Sequence, residues 1–304
     1  MNEYDPRPVV AGIDGSDEAQ CAADYGAWEA AHRGTSLRLV YARRPTPLWG
    51  PATPLMDEYG WEQEWVRTLL SKTTAELKDA HPDLLIEATA ISGRAAGVLV
   101  EASSGAGLVV VGTRAAGGLR GHLSASVAVQ VAAHASCPLV AVRGIPGRRC
   151  DASAFADRPV VVGLDGSEDA QAAVAYAVHQ AVERDVPLRA VLVWSLFDIN
   201  DERAASAADA ASANDQQRAE RLLSEAFAGW TERYPDLRVT LSAIHDLDPV
   251  NILVEQSRDA GLVVVGSRGE GGFLGLLLGS TVDGLIRNAH CPIAVVHPGD
   301  VELR

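Results

Sequence analysis

The chain has 304 residues, of which 47% are apolar and 22% charged, and its formal net charge is −14 at pH 7. This composition is typical of a globular protein with a full core, and it excludes the disordered and fibrous classes. The negative charge argues against nucleic acid as a partner, because proteins that bind a phosphate backbone usually present a basic face. No apolar run reaches the roughly 18 residues that a membrane span needs.

The N-terminal stretch MNEYDPRPVVAG is polar and acidic, unlike a secretory signal, so we expect a cytoplasmic protein. After it, short β-branched runs alternate with Ala-rich segments of helical periodicity. The predicted strands, in chain order, cover residues 8–13, 37–42, 85–91, 108–112 and 138–143, and then 159–164, 188–194, 238–244, 262–266 and 292–297. Apolar strands separated by helices indicate a parallel sheet that is covered on both faces. Residues 195–215 are polar and Ala/Ser-rich, and we interpret them as a loop leading into a long helix.

Three segments of the first half return in the same order in the second half. They are VVAGIDGSDEAQ (9–20) and VVVGLDGSEDAQ (160–171), GLVVVGTRAAGGLRG (107–121) and GLVVVGSRGEGGFLG (261–275), and ASCPLVAV (135–142) and AHCPIAVV (289–296). Motifs repeated at a nearly constant offset indicate a duplicated domain of about 145 residues. We predict a first domain over 1–146, a linker over 147–157 and a second domain over 158–304, each a five-stranded doubly wound α/β fold.

The four cysteines stand singly, without a C-x-x-C pair that would indicate zinc or thioredoxin chemistry. We expect buried or idle thiols, as is usual in a reducing compartment. They are Cys21, Cys137, Cys150 and Cys291.

A candidate ligand site lies where strands of the second domain end. Ligands of open α/β sheets bind outside the carboxyl ends of the strands, and GLDGS places Asp165 at the tip of the first strand. After the fourth strand, glycines and a serine follow the spacing G-x2-G-x9-G-S, at Gly266, Gly269, Gly279 and Ser280. Glycine lets main-chain amides approach a ligand closely, and a helix start offers unpaired N–H donors to phosphate. The pattern therefore predicts a phosphate-binding loop, to which Arg268 adds charge.

Taken together, VVVGLDGS, VVVGSRGEGGFLGLLLGST and AHCPIAVV resemble the universal stress protein family over essentially the whole chain, as two tandem domains. The glycine spacing is the mark of that family's ATP-binding branch. The resemblance implies Rossmann-like sheets of order 3-2-1-4-5, related to the adenine-nucleotide α-hydrolases, with ATP at the carboxyl edge, usually with a divalent ion such as Mg or Mn. It implies a nucleotide site made of Asp165, Gly166, Ser167, Val193, Gly266, Arg268, Gly269, Gly279, Ser280 and Thr281.

The first copy departs from this motif, because two of its three motif glycines are alanines, Ala115 and Ala125. If these positions need positive φ or direct contact with a ligand, each methyl group costs about 1 kcal/mol or more. We therefore expect ATP mainly in the second domain. The weaker candidates in the first domain are Asp14, Ala42, Gly112 and Ser126.

The expected function is ATP binding, with occupancy altering conformation or partner binding in a stress or dormancy response. No general base or arginine finger is evident, so we name no catalytic residue and expect at most slow hydrolysis. The alternatives are a nucleotide-independent interaction scaffold and an adenylyl-transferring enzyme, although the HIGH-type and SGGxDS loops of such enzymes are absent. The apolar fifth strand would lie at a sheet edge, and exposed edges favour pairing. We therefore expect the two copies to join edge to edge within the chain, and two such chains to associate as a homodimer.

Several side chains keep two interpretations. Asp14 and Asp165 could simply cap the turn that follows them, and His245 and Asp246 could support the site from the end of the third strand. The aromatic residues of PLWGPATPLMDEYGWEQEW could pack on the sheet or stack on a base; they are Trp49, Tyr59, Trp61 and Trp65.

Overall fold

The computed structural model describes residues 7–43, 55–113, 121–144, 150–194, 208–268 and 278–300. It divides into two compact units, Met1–Ser153 and Ala154–Arg304. The part of residues 195–215 before Ala208 lies outside the described residues.

The first unit is a five-stranded parallel sheet with helices between its strands. Its elements, in chain order, are β1 (Val9–Ile13), α1 (Asp17–Arg33), β2 (Leu37–Arg43), α2 (Leu55–Ala80), β3 (Ile86–Ser92), α3 (Ala95–Ser103), β4 (Leu108–Thr113), α4 (Gly121–His134) and β5 (Leu139–Arg143). The strands pair in the order β3-β2-β1-β4-β5. This order confirms the predicted doubly wound topology.

The second unit repeats this arrangement. Its elements are β6 (Val160–Leu164), α5 (Glu168–Glu183), β7 (Leu188–Trp194), α6 (Ala208–Ala226), α7 (Trp230–Arg233), β8 (Val239–His245), α8 (Pro249–Gln256), β9 (Leu262–Gly266), α9 (Ser280–Asn288) and β10 (Ile293–Val296). The order β8-β7-β6-β9-β10 is again 3-2-1-4-5. A short 3-10 helix, Ala152–Phe155, precedes β6.

The helices begin where the sequence places capping residues. The hydroxyl oxygens of Ser16 and Ser167 accept the amides of Ala19 and Ala170 at the starts of α1 and α5. The helix α8 begins at Pro249. A carboxylate oxygen of the preceding residue, Asp248, accepts a hydrogen bond from the amide of Asn251 at 3.0 Å. Such caps satisfy amides that the first helical turn leaves unpaired.

The core forms because the central strands are apolar on both faces. The valines of β1, β4, β6 and β9 are almost completely inaccessible to solvent, and small residues of α1 and α5 pack against them. The small side chains bring each helix close to the sheet. At Gly12, an added Cβ would meet the side chain of Leu99 at 3.0 Å; at Gly163, it would meet that of Leu253 at 2.9 Å.

Candidate functional site

The candidate site of the second unit lies at the point where the strand order reverses. β6 pairs with β7 on one side and with β9 on the other, all parallel. Asp165 follows β6 directly and Gly266 ends β9. Because Val162 of β6 pairs with Val264 of β9, these two strand ends lie side by side at one edge of the sheet. This is the crevice position at which open α/β sheets bind ligands.

The turn after β6 is held by the carboxylate of Asp165. Its Oδ1 accepts the amide of Ser167 at 3.0 Å and the hydroxyl of Ser167 at 2.7 Å. Gly166 between them has φ of +91°, a conformation that favours glycine. The capping alternative is therefore present in the structure, and it fixes the direction of this carboxylate at the edge of the sheet.

The first unit repeats this turn with the same geometry. Oδ1 of Asp14 accepts the amide of Ser16 at 3.0 Å and its hydroxyl at 2.6 Å, and Gly15 has φ of +84°. The turn alone therefore does not distinguish the two copies.

The start of α9 faces the same edge and has no side-chain cap. Gly279 is its N-cap residue, with φ −68° and ψ 146°, and as a glycine it makes no side-chain cap hydrogen bond. The amide of Gly279 donates to the carbonyl oxygen of Ser267 at 3.1 Å, and the amide of Ser267 donates to that of Val296 at 2.9 Å. These two bonds tie the beginning of α9 to β9 and β10.

The φ of Gly279 is negative, so its backbone conformation does not explain why a glycine stands at this position. An added Cβ would lie 3.7 Å from the carbonyl oxygen of Ser267 and 3.9 Å from Arg268 Cα and Val282, which is ordinary contact. An alanine therefore fits here without strain. None of the described neighbours requires glycine at this position, and the close approach of a ligand here stays a prediction.

Gly112 in the first unit has a different role. An added Cβ there would lie 2.2 Å from the carbonyl oxygen of Glu18 and 2.8 Å from the amide nitrogen of Ala19. The first turn of α1 crosses the end of β4 at this point, so the first glycine of the motif is required for packing. Sequence reasoning named this glycine only as a ligand candidate, and that contact stays a prediction; the close approach of α1 is a separate reason for glycine here.

The remaining predicted residues are placed as follows. Val193 is half-buried near the end of β7 and pairs with Ile244 of β8. Arg268 is exposed two residues after β9 ends. Ser280 and Thr281 lie in the first turn of α9; Ser280 is exposed and Thr281 is half-buried. Gly269 lies outside the described residues. In the first unit, Ala42 is half-buried in β2. Ser126 lies in α4, and its side chain is not among those that the structure describes.

An aromatic pair stands beside Val193 that the sequence did not indicate. The rings of Trp194 and His245 lie 4.5 Å apart at the paired ends of β7 and β8. Asp246 next to them donates its amide to the carbonyl oxygen of Trp194 at 3.1 Å, and its Oδ1 accepts the amide of Asp248. The sequence signal that could have indicated this pair is the position of Trp194, which follows Val193, the predicted base contact, at the end of a strand.

Of the aromatic segment before β3, two side chains are described. Trp65 is 49% exposed and packs edge-on to Tyr41, with ring centroids 5.8 Å apart. Its ring would meet a Cβ added at Gly15 at 2.9 Å, so it lies over the turn that follows β1. Trp61 is also exposed. Trp49 and the side chain of Tyr59 lie outside the described residues.

Two searches within the described ranges gave negative results. They hold no group of three or more His, Cys, Asp or Glu side chains that could bind a metal ion. No helix within them combines the length and apolar character needed to cross a membrane.

Duplicated parallel sheets of order 3-2-1-4-5 with a glycine-rich carboxyl edge define a tandem Rossmann-like α/β protein. Two stretches, residues 6–143 and 158–297, match the model of the universal stress protein family. The chain belongs to the universal stress protein family and carries two tandem copies of its domain.

Full-length relatives and a solved structure agree with this assignment. The chain is 34% identical over 294 residues to universal stress protein Rv2005c of Mycobacterium tuberculosis, covering 94% of this chain and 96% of that protein. It is 33% identical over 293 residues to universal stress protein Rv2623 of the same organism, covering 94% and 95%. A universal stress protein structure from Archaeoglobus fulgidus matches with a TM-score of 0.66 at 17% identity over 97% of both chains, a likeness of fold.

Proposed function

We propose that this protein binds ATP at the carboxyl edge of its second unit, and that occupancy alters its conformation or its partners in a stress or dormancy response. The observation that carries the proposal is the open start of α9. Gly279 supplies no side-chain acceptor there, whereas Ser167 and Asp248 cap α5 and α8. Unpaired amides and the positive end of the helix dipole favour a bound phosphate.

The proposed site combines three strand ends with this helix start. The amides of Ser280 and Thr281 would face the phosphates, and Arg268 would add positive charge. Asp165 follows β6, the strand that pairs with β9, and its carboxylate is held by Ser167. The full proposed set is Asp165, Gly166, Ser167, Val193, Gly266, Arg268, Gly269, Gly279, Ser280 and Thr281.

The base would lie toward β7, where the strand ends in apolar and aromatic side chains. Val193 offers a half-buried apolar contact, and Trp194 with His245 adds a pair of rings beside it. Planar bases stack well on such surfaces. The side of the sheet between β6 and β7 is therefore proposed for adenine and ribose, and the side between β9 and α9 for phosphate.

A divalent ion such as Mg or Mn would be carried mainly by the phosphates. The described residues offer no cluster of metal ligands, and magnesium is commonly bound through substrate phosphates plus one or two carboxylates. Asp165 supplies a carboxylate in the described part of the proposed site. We assign no catalytic residue and propose at most slow hydrolysis.

We propose weaker or no ATP binding in the first unit. Ala115 and Ala125 replace two motif glycines. Asp14, Ala42, Gly112 and Ser126 remain its candidate contacts. The domain boundaries that we propose are 1–146 and 158–304, joined by a linker over 147–157, in a cytoplasmic protein that forms homodimers.

The rival function is an interaction scaffold that works without nucleotide. The nucleotide content of the purified chain distinguishes the scaffold from the ATP-binding protein. It is measured by mass spectrometry of the small molecules that acid releases, for the wild type and for Gly279→Ala in parallel. The ATP proposal predicts ATP in the wild type and its loss from the variant. Absence of ATP from the wild type, together with no binding on titration, supports the scaffold.

A further inference from the structure

The carboxyl edge of the first unit is covered by one of its own side chains, the indole of Trp65 in α2. A Cβ added at Gly15, in the turn between β1 and α1, would lie 2.9 Å from Cζ2 and 3.0 Å from Cη2 of this indole. Leu69, one turn further along α2, reaches the same point, with Cδ2 at 3.6 Å from that Cβ. The ring therefore rests directly on the turn that follows β1.

A second contact holds the indole across two strand ends. The ring of Tyr41 meets it edge-on, with centroids 5.8 Å apart, an arrangement that aromatic pairs favour. Tyr41 of β2 pairs in register with Ile13, the last residue of β1. The indole thus lies where β1 and β2 end side by side, next to the point at which the strand order reverses.

The corresponding place in the second unit, between β6 and β7, is the one proposed above for adenine and ribose. The turn after the first strand has the same geometry in both units, because Asp14 and Asp165 accept the same pair of hydrogen bonds from the serine two residues later. Indole and purine are both flat, fused bicyclic rings. The indole therefore has the shape of the group that a nucleotide would bring to this place.

The second unit lacks the side chains from which this cover is made. Leu192 pairs with Leu164 in β7 and β6, as Tyr41 pairs with Ile13 in the first unit, so leucine replaces the tyrosine. The helix between the second and third strands is α6, and none of its residues, Ala208–Ala226, is aromatic. A ring carried by this helix is therefore a feature of the first copy.

We propose that Trp65 is a specificity-determining residue that fills the base position of the first unit and so directs nucleotide to the second, a role that rests on the proposed function. A nucleotide enters the first unit only after the ring moves away and gives up its contacts with Gly15 and Tyr41. The apparent affinity then falls in proportion to the fraction of chains in which the ring has moved.

This role is separate from the loss of the motif glycines in the first copy. Ala115 and Ala125 concern the predicted phosphate loop, whereas Trp65 lies at the end of β1 and β2. Restoring the two glycines therefore does not open the first unit by itself, and removing the indole as well does.

The test exposes the full-length chain to an azido-ATP photolabel with magnesium and maps the labelled peptides to the first or the second unit. Four proteins are compared: the wild type, Trp65→Ala, the double variant Ala115→Gly/Ala125→Gly, and the triple variant that combines the three changes. We expect label on the second unit of all four. On the first unit, the triple variant should bind about tenfold or more tightly than the double variant.

Trp61→Ala, added to the double variant, is the matched control. Trp61 lies one turn before Trp65 in the same helix and is 80% exposed, so its removal should leave the first unit as weakly labelled as before. If Trp65→Ala does not fold, Trp65→Gln replaces it, because glutamine is a good helix former without a ring.

Two outcomes would overturn the proposal while leaving ATP binding by the second unit intact. One is equal labelling of the first unit with and without Trp65, and the other is a folded triple variant whose label stays on the second unit alone. Absence of label from the second unit of the wild type would refute the proposed function, and the role of Trp65 with it.

Discussion

The amide of Gly279 donates a hydrogen bond to the carbonyl oxygen of Ser267 at 3.1 Å, and this bond holds the start of α9 against the end of β9. The bond uses only main-chain atoms, so it survives substitution of either side chain. It brings the first turn of α9 to the end of β9. Glycine is therefore expected at this position because a side chain would obstruct the proposed ligand, and not because the backbone conformation requires it.

Gly279→Ala should weaken ATP binding without unfolding the protein. The φ of −68° suits alanine, and its Cβ would keep ordinary distances to neighbouring atoms. We expect stability within about 1 kcal/mol of the wild type and an ATP dissociation constant raised about tenfold or more, equivalent to about 1.4 kcal/mol. Thermal melting and calorimetric titration measure the two effects. Unchanged affinity in a well-folded variant would count against the loop.

Gly112→Ala, at the first motif position of the first copy, should instead destabilise the fold. Its Cβ would overlap the carbonyl group of Glu18, so α1 must move away from β4. We expect a loss of about 3 kcal/mol in the free energy of unfolding, measured by urea denaturation.

Gly97→Ala is the control for Gly112→Ala. Gly97 lies inside α3 with no atom within 4 Å of the added Cβ, so alanine there should be neutral or add about 0.5–1 kcal/mol. A Gly112→Ala protein as stable as this control would refute the packing role.

Ser167→Ala should reduce both stability and ATP affinity. The hydroxyl of Ser167 caps α5 through the amide of Ala170 and also holds the carboxylate of Asp165. Loss of the cap costs about 1 kcal/mol. Ser16→Ala removes the same cap and the same carboxylate contact from the first unit. It should lower the melting temperature comparably and leave ATP affinity unchanged. Equal effects of the two variants on ATP binding would contradict the assignment of the site to the second unit.

Trp194 should report the arrival of the base. Its ring lies 4.5 Å from that of His245 at the end of β7, so a base beside Val193 would change its surroundings. We expect ATP to alter tryptophan emission in the wild type and the change to disappear in Trp194→Phe. Trp28→Phe is the control, because Trp28 is buried in α1 against His32. A signal that survives in Trp194→Phe would place the base elsewhere.

The sequence was a good guide to the sheets because their strands are continuous apolar runs bounded by turns. Each predicted strand overlaps an observed one with ends differing by no more than one or two residues, as for 238–244 against Val239–His245. The capping serines and Asp248 were also predictable, since their role depends on near neighbours in the chain.

The details of the site depend on distances that the sequence does not contain. A glycine letter does not reveal whether φ is positive, so Gly112 and Gly279 look alike although one packs on Glu18 and the other has room. The pairing of Trp194 with His245 follows from the register of β7 and β8. Contacts of this kind emerge only from the folded chain.

The most direct test of the central claim is calorimetric titration of the full-length chain with ATP and magnesium. The account predicts one strong site per chain, which Gly279→Ala weakens about tenfold and Ser16→Ala leaves intact. No detectable binding, or two equal sites per chain, would contradict it.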